Sequence, residues 1–156
     1  MSILTQSAAL VRRSCARLLA QDCLLCGAES GDNLLCPACE NDLPRLATAR
    51  CPRCALPTPG GEVCGRCLAR LPHYDATLAV FRYGFPIDKL VQSFKYGHRL
   101  ALGSYFGRQL VAQTGRCAAD LLIPMPLHPQ RLRERGFNQA LELARPVGKA
   151  WRMPVD

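Results

Sequence analysis

Residues 23–67 read CLLCGAESGDNLLCPACENDLPRLATARCPRCALPTPGGEVCGRC and contain eight of the ten cysteines of this 156-residue chain. The eight cysteines form four Cys-x-x-Cys pairs. Nine residues separate the first pair from the second and the third from the fourth, and eleven lie between the two sets, which indicates one module used twice. Two residues between cysteines suit a tight turn that directs both sulfurs at one point, and two such turns supply the four thiolates of a structural zinc site.

Each half of this stretch therefore predicts one zinc ion. The expected ligands are Cys23, Cys26, Cys36 and Cys39 for the first zinc and Cys51, Cys54, Cys64 and Cys67 for the second. Gly27 and Gly65 follow ligands and can relieve backbone strain there, while Pro37 and Pro52 fix φ inside two of the pairs. The alternatives are disulfides of a secreted protein or a redox pair. Zinc is favoured because nothing resembles a cleaved secretory signal and a redox motif does not need four copies.

The formal net charge of +8 comes from seventeen arginines and three lysines against twelve acids. Zinc binding deprotonates cysteines, so eight thiolates and two Zn²⁺ reduce the charge to about +4. This charge permits a polyanionic partner without requiring one. No apolar run approaches the length that crosses a bilayer, so we expect a soluble protein with no membrane span. Cysteines kept for metal indicate the cytoplasm.

Three regions are expected along the chain. Residues 1–21 predict a basic amphipathic helix that packs on the zinc module, in preference to a presequence or a membrane-surface helix. Residues 22–72 form the double zinc ribbon, and residues 73–156 form a partial α/β domain. Cys15 and Cys117, outside the four pairs, are expected to be ordinary buried thiols, and His73 a surface residue.

The α/β assignment follows from the order of elements after the ribbon. The pattern predicts a strand at 76–83, a helix opened by Pro86, a second helix at 101–113, a short strand at 120–126, an arginine-rich turn, and a helix from about Asn138. Pro146 should kink or end the last helix. A strand, helices, a strand, a loop and a helix are typical of the beginning of a fold with a parallel sheet.

Residues 124–139, PMPLHPQRLRERGFNQ, form a second candidate site. Three prolines stiffen a loop that leaves a strand, three arginines follow within five residues, and a helix then begins at Asn138. Loops of this kind bind ligands in open α/β sheets, and arginines there can hold phosphate groups. The alternative is a solvated basic surface on an exposed loop, but the prolines favour a built site.

The chain resembles the ComF (competence protein F) family. The resemblance rests on the four Cys-x-x-Cys pairs, on Phe94-Lys95-Tyr96-Gly97, and above all on IPMPLHP at 123–129 with RGFNQ at 135–139. It implies a type I phosphoribosyltransferase-like fold with a central parallel sheet, which binds 5-phosphoribosyl 1-diphosphate with Mg²⁺. Carried over to this sequence, it implies that the pyrophosphate lies near Leu127, His128 and Arg131, with Arg135 and Asn138 in support. It also implies a role in DNA uptake or in nucleotide metabolism.

One part of the family pattern does not occur in these 156 residues. Family members continue into an apolar strand, two adjacent acids and a Thr-Thr-Gly loop that holds the ribose 5-phosphate. The chain is therefore expected to lack phosphoribosyl transfer as it stands. It is either a fragment of a longer protein, which is the favoured interpretation, or a degenerate relative that retains the ribbon module. We also expect an unpaired sheet face and poor solubility of the chain by itself.

Two functions of different classes remain open. The first is a phosphoribosyltransferase-related protein that binds phosphoribosyl diphosphate in its longer form. The second is an adaptor without catalysis, in which the ribbons contact single-stranded DNA or a helicase partner through basic residues: Arg45, Arg50, Arg53, Arg66 and Arg70. Aromatic residues for base stacking are missing from residues 23–67, which weakens this second interpretation. Redox sensing through the cysteines is a third, less favoured function.

Overall fold

A computed structural model of the protein describes residues 21–156. The described residues fall into two compact units, residues 21–43 and 44–156. The expected helix at 1–21 falls outside the described residues except for Gln21, which lies in a strand. Cys15 also lies outside them.

The first unit contains two short strands and a helical turn. Strand β1 (Gln21–Asp22) pairs antiparallel with β2 (Glu29–Gly31), and helix α1 (Pro37–Asn41) follows. Ser30 is buried, and its hydroxyl donates to the carbonyl oxygens of Gln21 and Asn33 at 2.8 and 2.6 Å. This two-stranded sheet is too small to be stable by itself, so the unit needs another source of stability.

The second unit is mainly helical in its described residues. Its helices are α2 (Gly65–Ala69), α3 (Ile87–Tyr96), α4 (Ala101–Thr114), α5 (Pro129–Arg135) and α6 (Gln139–Trp151). The sequence placed α3, α4 and α6 within a few residues of these bounds. It missed α5, because three prolines and three arginines indicated a turn where the chain forms two turns of helix.

Helices α4 and α6 form the main packing interface of this unit. Glycines bring the two helices close together. A Cβ atom at Gly103 would lie 3.0 Å from the Cβ of Glu142, and one at Gly107 would lie 2.5 Å from the Cγ of Pro146. Pro146 therefore packs into a notch on α4. Helix α6 continues past Pro146 to Trp151, so the expectation that this proline ends the helix is wrong.

The two strands expected in this unit do not form as strands. Residues 76–83 form no strand, and their pairing within the described chain consists of a single antiparallel bridge between Phe81 and Arg45. The segment at 120–126 makes one parallel bridge, from Leu122 to Val155, with hydrogen bonds of 2.9 and 3.0 Å. In the described residues, the fold is thus a mixture of helices and one small antiparallel sheet, and this single parallel bridge is the only part of the expected parallel sheet that forms there.

Candidate zinc centres and the proline–arginine loop

The first cysteine pair of each module sits on the same tight turn. In the first module the amide of Gly27 donates to the carbonyl oxygen of Cys23 at 2.9 Å, and in the second the amide of Ala55 donates to that of Cys51 at 2.9 Å. Gly27 and Ala55 both have positive φ, at +74° and +61°. Gly65, the second glycine expected to relieve backbone strain beside a ligand, is instead the first residue of α2. The turn instead places an alanine in the left-handed region, which glycine patterns could not reveal.

The second cysteine pair of each module opens a helical turn. Cys36 caps α1 and Cys64 caps α2, and the carbonyl oxygen of each accepts a hydrogen bond at 3.0 Å from the amide four residues later. Each module is therefore a tight turn followed by a short helix. The internal repeat read from the spacing is present in the backbone.

The four sulfurs of each set converge on one point. Within Cys23, Cys26, Cys36 and Cys39, and again within Cys51, Cys54, Cys64 and Cys67, all Sγ atoms lie within 4.8 Å of one another. A tetrahedral zinc with Zn–S bonds of about 2.3 Å requires sulfurs about 3.8 Å apart. The Sγ atoms of Cys26 and Cys36 are 3.7 Å apart, and those of Cys54 and Cys64 are 3.6 Å apart. Both groups therefore fit structural zinc, and the nine described cysteines are all free of disulfides.

The ionisation of the thiols also fits a dication. Burial opposes ionisation of Cys23 and Cys51, but hydrogen bonds from backbone amides outweigh it and lower the pKa of each to about 6. The side chains of Cys26 and Cys36 raise the pKa of Cys39, and burial together with neighbouring thiols raises the pKa of Cys67 to about 12. In each set, one thiol thus ionises readily, whereas another is kept protonated by its neighbours. A bound cation allows all four thiols to ionise, because it stabilises four thiolates at once.

The two modules carry opposite charge. Residues 21–43 contain five acids and no lysine or arginine, whereas residues 44–70 contain five arginines and one acid. The acids are Asp22, Glu29, Asp32, Glu40 and Asp42. The first module also exposes a ligand, Cys26, whereas each ligand of the second is buried or half-buried. The net charge of the whole chain does not reveal this difference in charge between the two modules.

The second module is joined to residues 74–82 by backbone and arginine hydrogen bonds. The amide of Leu46 donates to the carbonyl oxygen of Val80 at 2.9 Å, and that of Arg82 donates to the carbonyl oxygen of Pro44 at 2.8 Å. The second zinc module therefore belongs to the same packed unit as the helices.

Three arginines of the second module reinforce this joint. Arg50 donates to the carbonyl oxygen of Ala79 at 3.1 Å. Arg53 donates to the carbonyl oxygens of Tyr74 and Asp75 at 3.3 and 3.1 Å. The guanidinium carbon of Arg45 lies 5.3 Å from the centre of the Phe81 ring, and its Nη1 donates to Gln109 at 3.0 Å.

Of the five arginines proposed for DNA contact, these three thus hold the protein together. Arg66 and Arg70 lie exposed on and just after α2.

The RGFNQ motif forms the joint between α5 and α6. Gly136 ends α5 in the left-handed conformation, with φ at +74°. Phe137 packs on Phe94, with ring centres 5.7 Å apart. Arg135 donates to Oε1 of Gln139 at 3.0 Å, and its guanidinium carbon lies 5.2 Å from the centre of the Tyr96 ring. These contacts serve the packing of three helices.

Asn138 connects this joint to the proline loop. Its Oδ1 accepts from the amide of Ala140 at 2.9 Å and so caps α6, and its Nδ2 donates to the carbonyl oxygen of Met125 at 3.1 Å. A capping asparagine satisfies an amide that the helix leaves unpaired. The side chain therefore fixes the loop relative to the start of α6.

The remaining candidate residues of the loop face solvent to different degrees. Leu127 is half-buried, while His128 and Arg131 are exposed. His128 caps α5, since its Nδ1 accepts from the amide of Gln130 at 3.2 Å. Arg131 makes an exposed ion pair of 3.4 Å with Glu134. Arg131 is the least constrained of the candidate cations, because Arg135 is committed to the helix joint.

Two convergent groups of four cysteines in a repeated turn-and-helix module define this protein as a double zinc ribbon protein. A model of the double zinc ribbon domain family matches residues 15–68. The chain is 30% identical over 123 residues to the DNA utilization protein YhgH of Shigella flexneri, covering 74% of this chain and 54% of that protein. It is 26% identical over 133 residues to the competence protein ComFC of Bacillus subtilis, covering 80% and 55%.

Competence protein F of Haemophilus influenzae also matches, at 29% identity over 98 residues, with 58% of this chain and 43% of that protein covered. Together with the motifs, these matches confirm that the chain is a relative of the ComF family. The chain spans about half the length of the curated relatives that it matches. A comparison with solved structures found no significant match. Among residues 21–156, none of the helices has the length and apolar character that a membrane span requires.

Proposed function

We propose that this chain handles DNA during its uptake or utilisation, with the zinc ribbons as a docking module and residues 124–139 as part of a ligand site. One observation carries the proposal. The alignment with YhgH covers 123 residues, more than twice the length of the ribbon at 15–68. The likeness to proteins named for DNA utilization and competence therefore includes much of the helical unit as well as the metal module. A simple zinc ribbon likeness would stop near Leu68.

We further propose that the ligand site is related to that of phosphoribosyltransferases. The parallel bridge between Leu122 and Val155 supports this, because the proline loop then leaves a segment paired in the parallel sense expected of such a sheet. Arg131 supplies an exposed guanidinium for a diphosphate, and His128 lies near it in sequence. Mg²⁺ would accompany the diphosphate and neutralise its charge. Arg135 and Asn138 hold the loop and the helix in place.

Titration calorimetry with phosphoribosyl diphosphate and Mg²⁺ tests this ligand. We expect magnesium-dependent heat, and a loss of affinity of about tenfold or more in Arg131→Ala, because a charge-assisted hydrogen bond contributes about 1.5 to 3 kcal/mol. Arg133→Ala is the matched control, an exposed arginine on the same helix. Absence of magnesium-dependent heat, or equal loss in the two variants, would contradict the phosphoribosyltransferase relation.

The charge of the second ribbon favours a second candidate function, that of an adaptor without catalysis. Arg66 and Arg70 are exposed beside a zinc site in a segment with only one acid. A double Arg66→Gln/Arg70→Gln variant should weaken binding of single-stranded DNA. The slope of log K against log salt concentration should become shallower by about 1.4, since each phosphate contact on a single strand contributes about 0.7 to it. An unchanged slope would exclude these arginines as phosphate contacts.

A further inference from the structure

The outer face of helix α3 and the turn before it expose aromatic rings that the core does not use. Phe85 is 77% exposed, Tyr83 is 70% exposed and Tyr96 is 63% exposed. The opposite face of the same helix buries Ile87, Leu90 and Phe94 almost completely. The helix is therefore firmly anchored while it presents large rings to solvent. Several exposed aromatic rings in one short segment mark a candidate contact surface.

Polar and cationic side chains lie on the same face of α3 as Tyr96. Lys89, Gln92 and Tyr96 are all exposed and follow one another at i, i+3 and i+7, so they share one face of α3 over about 10 Å. Phe85 is exposed in the turn that precedes α3, four residues before Lys89. We call Phe85, Lys89, Gln92 and Tyr96 the α3 stripe.

The ring of Tyr96 is held in position from one side. The guanidinium carbon of Arg135 lies 5.2 Å from its centre, and Nη2 of Arg135 donates to the Tyr96 hydroxyl at 3.4 Å. The ring nevertheless remains largely exposed. A ring that is fixed and exposed can accept a second planar group at little further cost in conformational entropy.

The surroundings of the stripe are cationic. Residues 81–108 contain five lysines or arginines and a single acid, Asp88. Oδ1 of Asp88 is buried, whereas Lys89 and Arg99 are exposed. A polyanion that approaches α3 therefore meets positive charge with little opposition.

We propose that the α3 stripe binds single-stranded nucleic acid, with bases stacked on Tyr96 and Phe85 and phosphates near Lys89 and Arg99. Aromatic platforms separated by cations are the general solution for single strands, because any base can stack and the phosphates supply the charge. A duplex hides its base faces, and a membrane surface would favour a continuous apolar face without Gln92. This inference rests on the proposed role in DNA handling and places the contact on α3, where the ribbons contribute no aromatic side chain.

Fluorescence anisotropy with a labelled 20-nucleotide oligo(dT) and the zinc-loaded chain tests the stripe. Tyr96→Ala and Phe85→Ala should each weaken binding by about fivefold to a hundredfold, as loss of one stacked base does. Tyr96→Phe should bind within about twofold of the parent, because it keeps the ring. Tyr74→Ala, an exposed tyrosine outside the stripe, is the matched control. Lys89→Gln should make the slope of log K against log salt concentration shallower by about 0.7, because it removes one phosphate contact.

The outcomes separate this inference from the proposed function. Binding that is unchanged in Tyr96→Ala and Phe85→Ala overturns the stripe but leaves DNA handling in place. Equal affinity for a duplex of the same length overturns stacking. No binding of oligo(dT) overturns the stripe and removes direct DNA contact from the proposed function. Anionic vesicles that bind through Tyr96 while oligo(dT) does not would identify the stripe as a membrane contact instead.

Discussion

The two zinc ions should differ in what they stabilise. The perturbation is a pair of matched double variants, Cys36→Ser/Cys39→Ser in the first module and Cys64→Ser/Cys67→Ser in the second, each of which removes two ligands of one zinc. The second site belongs to the unit at 44–156, and the first site belongs to the unit whose described residues are 21–43. The second variant should therefore destabilise the helices, and the first should not.

The structure gives the size of the effect. Four donor groups join the second module to residues 74–82. They are two backbone amides, the guanidinium of Arg50, and Nη1 of Arg53, which is shared between Tyr74 and Asp75. At about 1 kcal/mol for each donor group they contribute about 4 kcal/mol, which is a large part of the roughly 5 to 15 kcal/mol typical of a folded domain. Without its zinc the second module should not keep its fold, because structural zinc supplies much of the folding free energy of such modules.

Urea denaturation followed by tryptophan fluorescence measures this effect directly. Trp151 is the only tryptophan of the chain and is buried in the helical unit. We expect the midpoint of Cys64→Ser/Cys67→Ser to fall by about 2 M or more, or the variant to be unfolded in buffer, given slopes of about 1 to 3 kcal/mol per M. Cys36→Ser/Cys39→Ser should keep the parental midpoint. Mass spectrometry should find one zinc in each variant. Equal shifts of the urea midpoint in the two variants, or no shift in either, would refute the prediction that only the second zinc stabilises the helices.

Three further predictions concern the helices and the thiols. Asn138→Ala should lower the free energy of unfolding by about 1 kcal/mol, because it removes the cap of α6, and a thermal melt with no change would contradict the capping contact. Gly107→Ala should cost about 1 to 3 kcal/mol by urea titration, because a Cβ there meets a side chain of α6; Gly84→Ala, with no atom within 4 Å of a new Cβ, is its neutral control. The lowered pKa of Cys23 and Cys51 means that their thiolates stabilise the fold above the ordinary value of 9.0 and lose this contribution as the pH falls through about 6. Protons also compete with zinc for the thiolates, so zinc release measured with a chromogenic chelator should rise on acidification, and release that is flat between about pH 8 and 5 would argue against thiolate ligation.

The zinc modules could be predicted from the sequence because spacing determines their geometry. A Cys-x-x-Cys pair allows few backbone conformations that direct two sulfurs at one point, so the ligand sets followed from counting. The local turn was harder to predict. Gly27 stands where the turn needs positive φ, but its counterpart is Ala55, whose residue type gives no such signal.

The amphipathic helices could also be predicted, since α3 shows a clear apolar face and a helix of this kind forms wherever that face can be buried. The strands could not. Residues 76–83 have the β-branched and aromatic composition of a strand, but strand formation depends on partners elsewhere in the chain. These residues pair with the rest of residues 21–156 at one bridge only, between Phe81 and Arg45, and Arg45 lies in the second zinc module. Local composition carries no information about such a partner.

The candidate phosphate loop shows a different limit of sequence reasoning. Arginine spacing does not distinguish the three cations, but packing does: Arg135 contacts Tyr96 and Gln139, whereas Arg131 and Arg133 remain exposed. Which arginines face solvent depends on the unforeseen helix α5.

The helix joint made by RGFNQ has a consequence for how such sequences are recognised. Its glycine reverses the chain, its phenylalanine fills the core, its asparagine caps the next helix, and the outer pair bond to each other. Each of the five residues thus has an architectural use that would persist in a protein with no chemistry at all. Proteins that are selected by this motif will share the joint between these two helices. Active and inactive members should carry it alike, and the residues that distinguish them must be sought elsewhere.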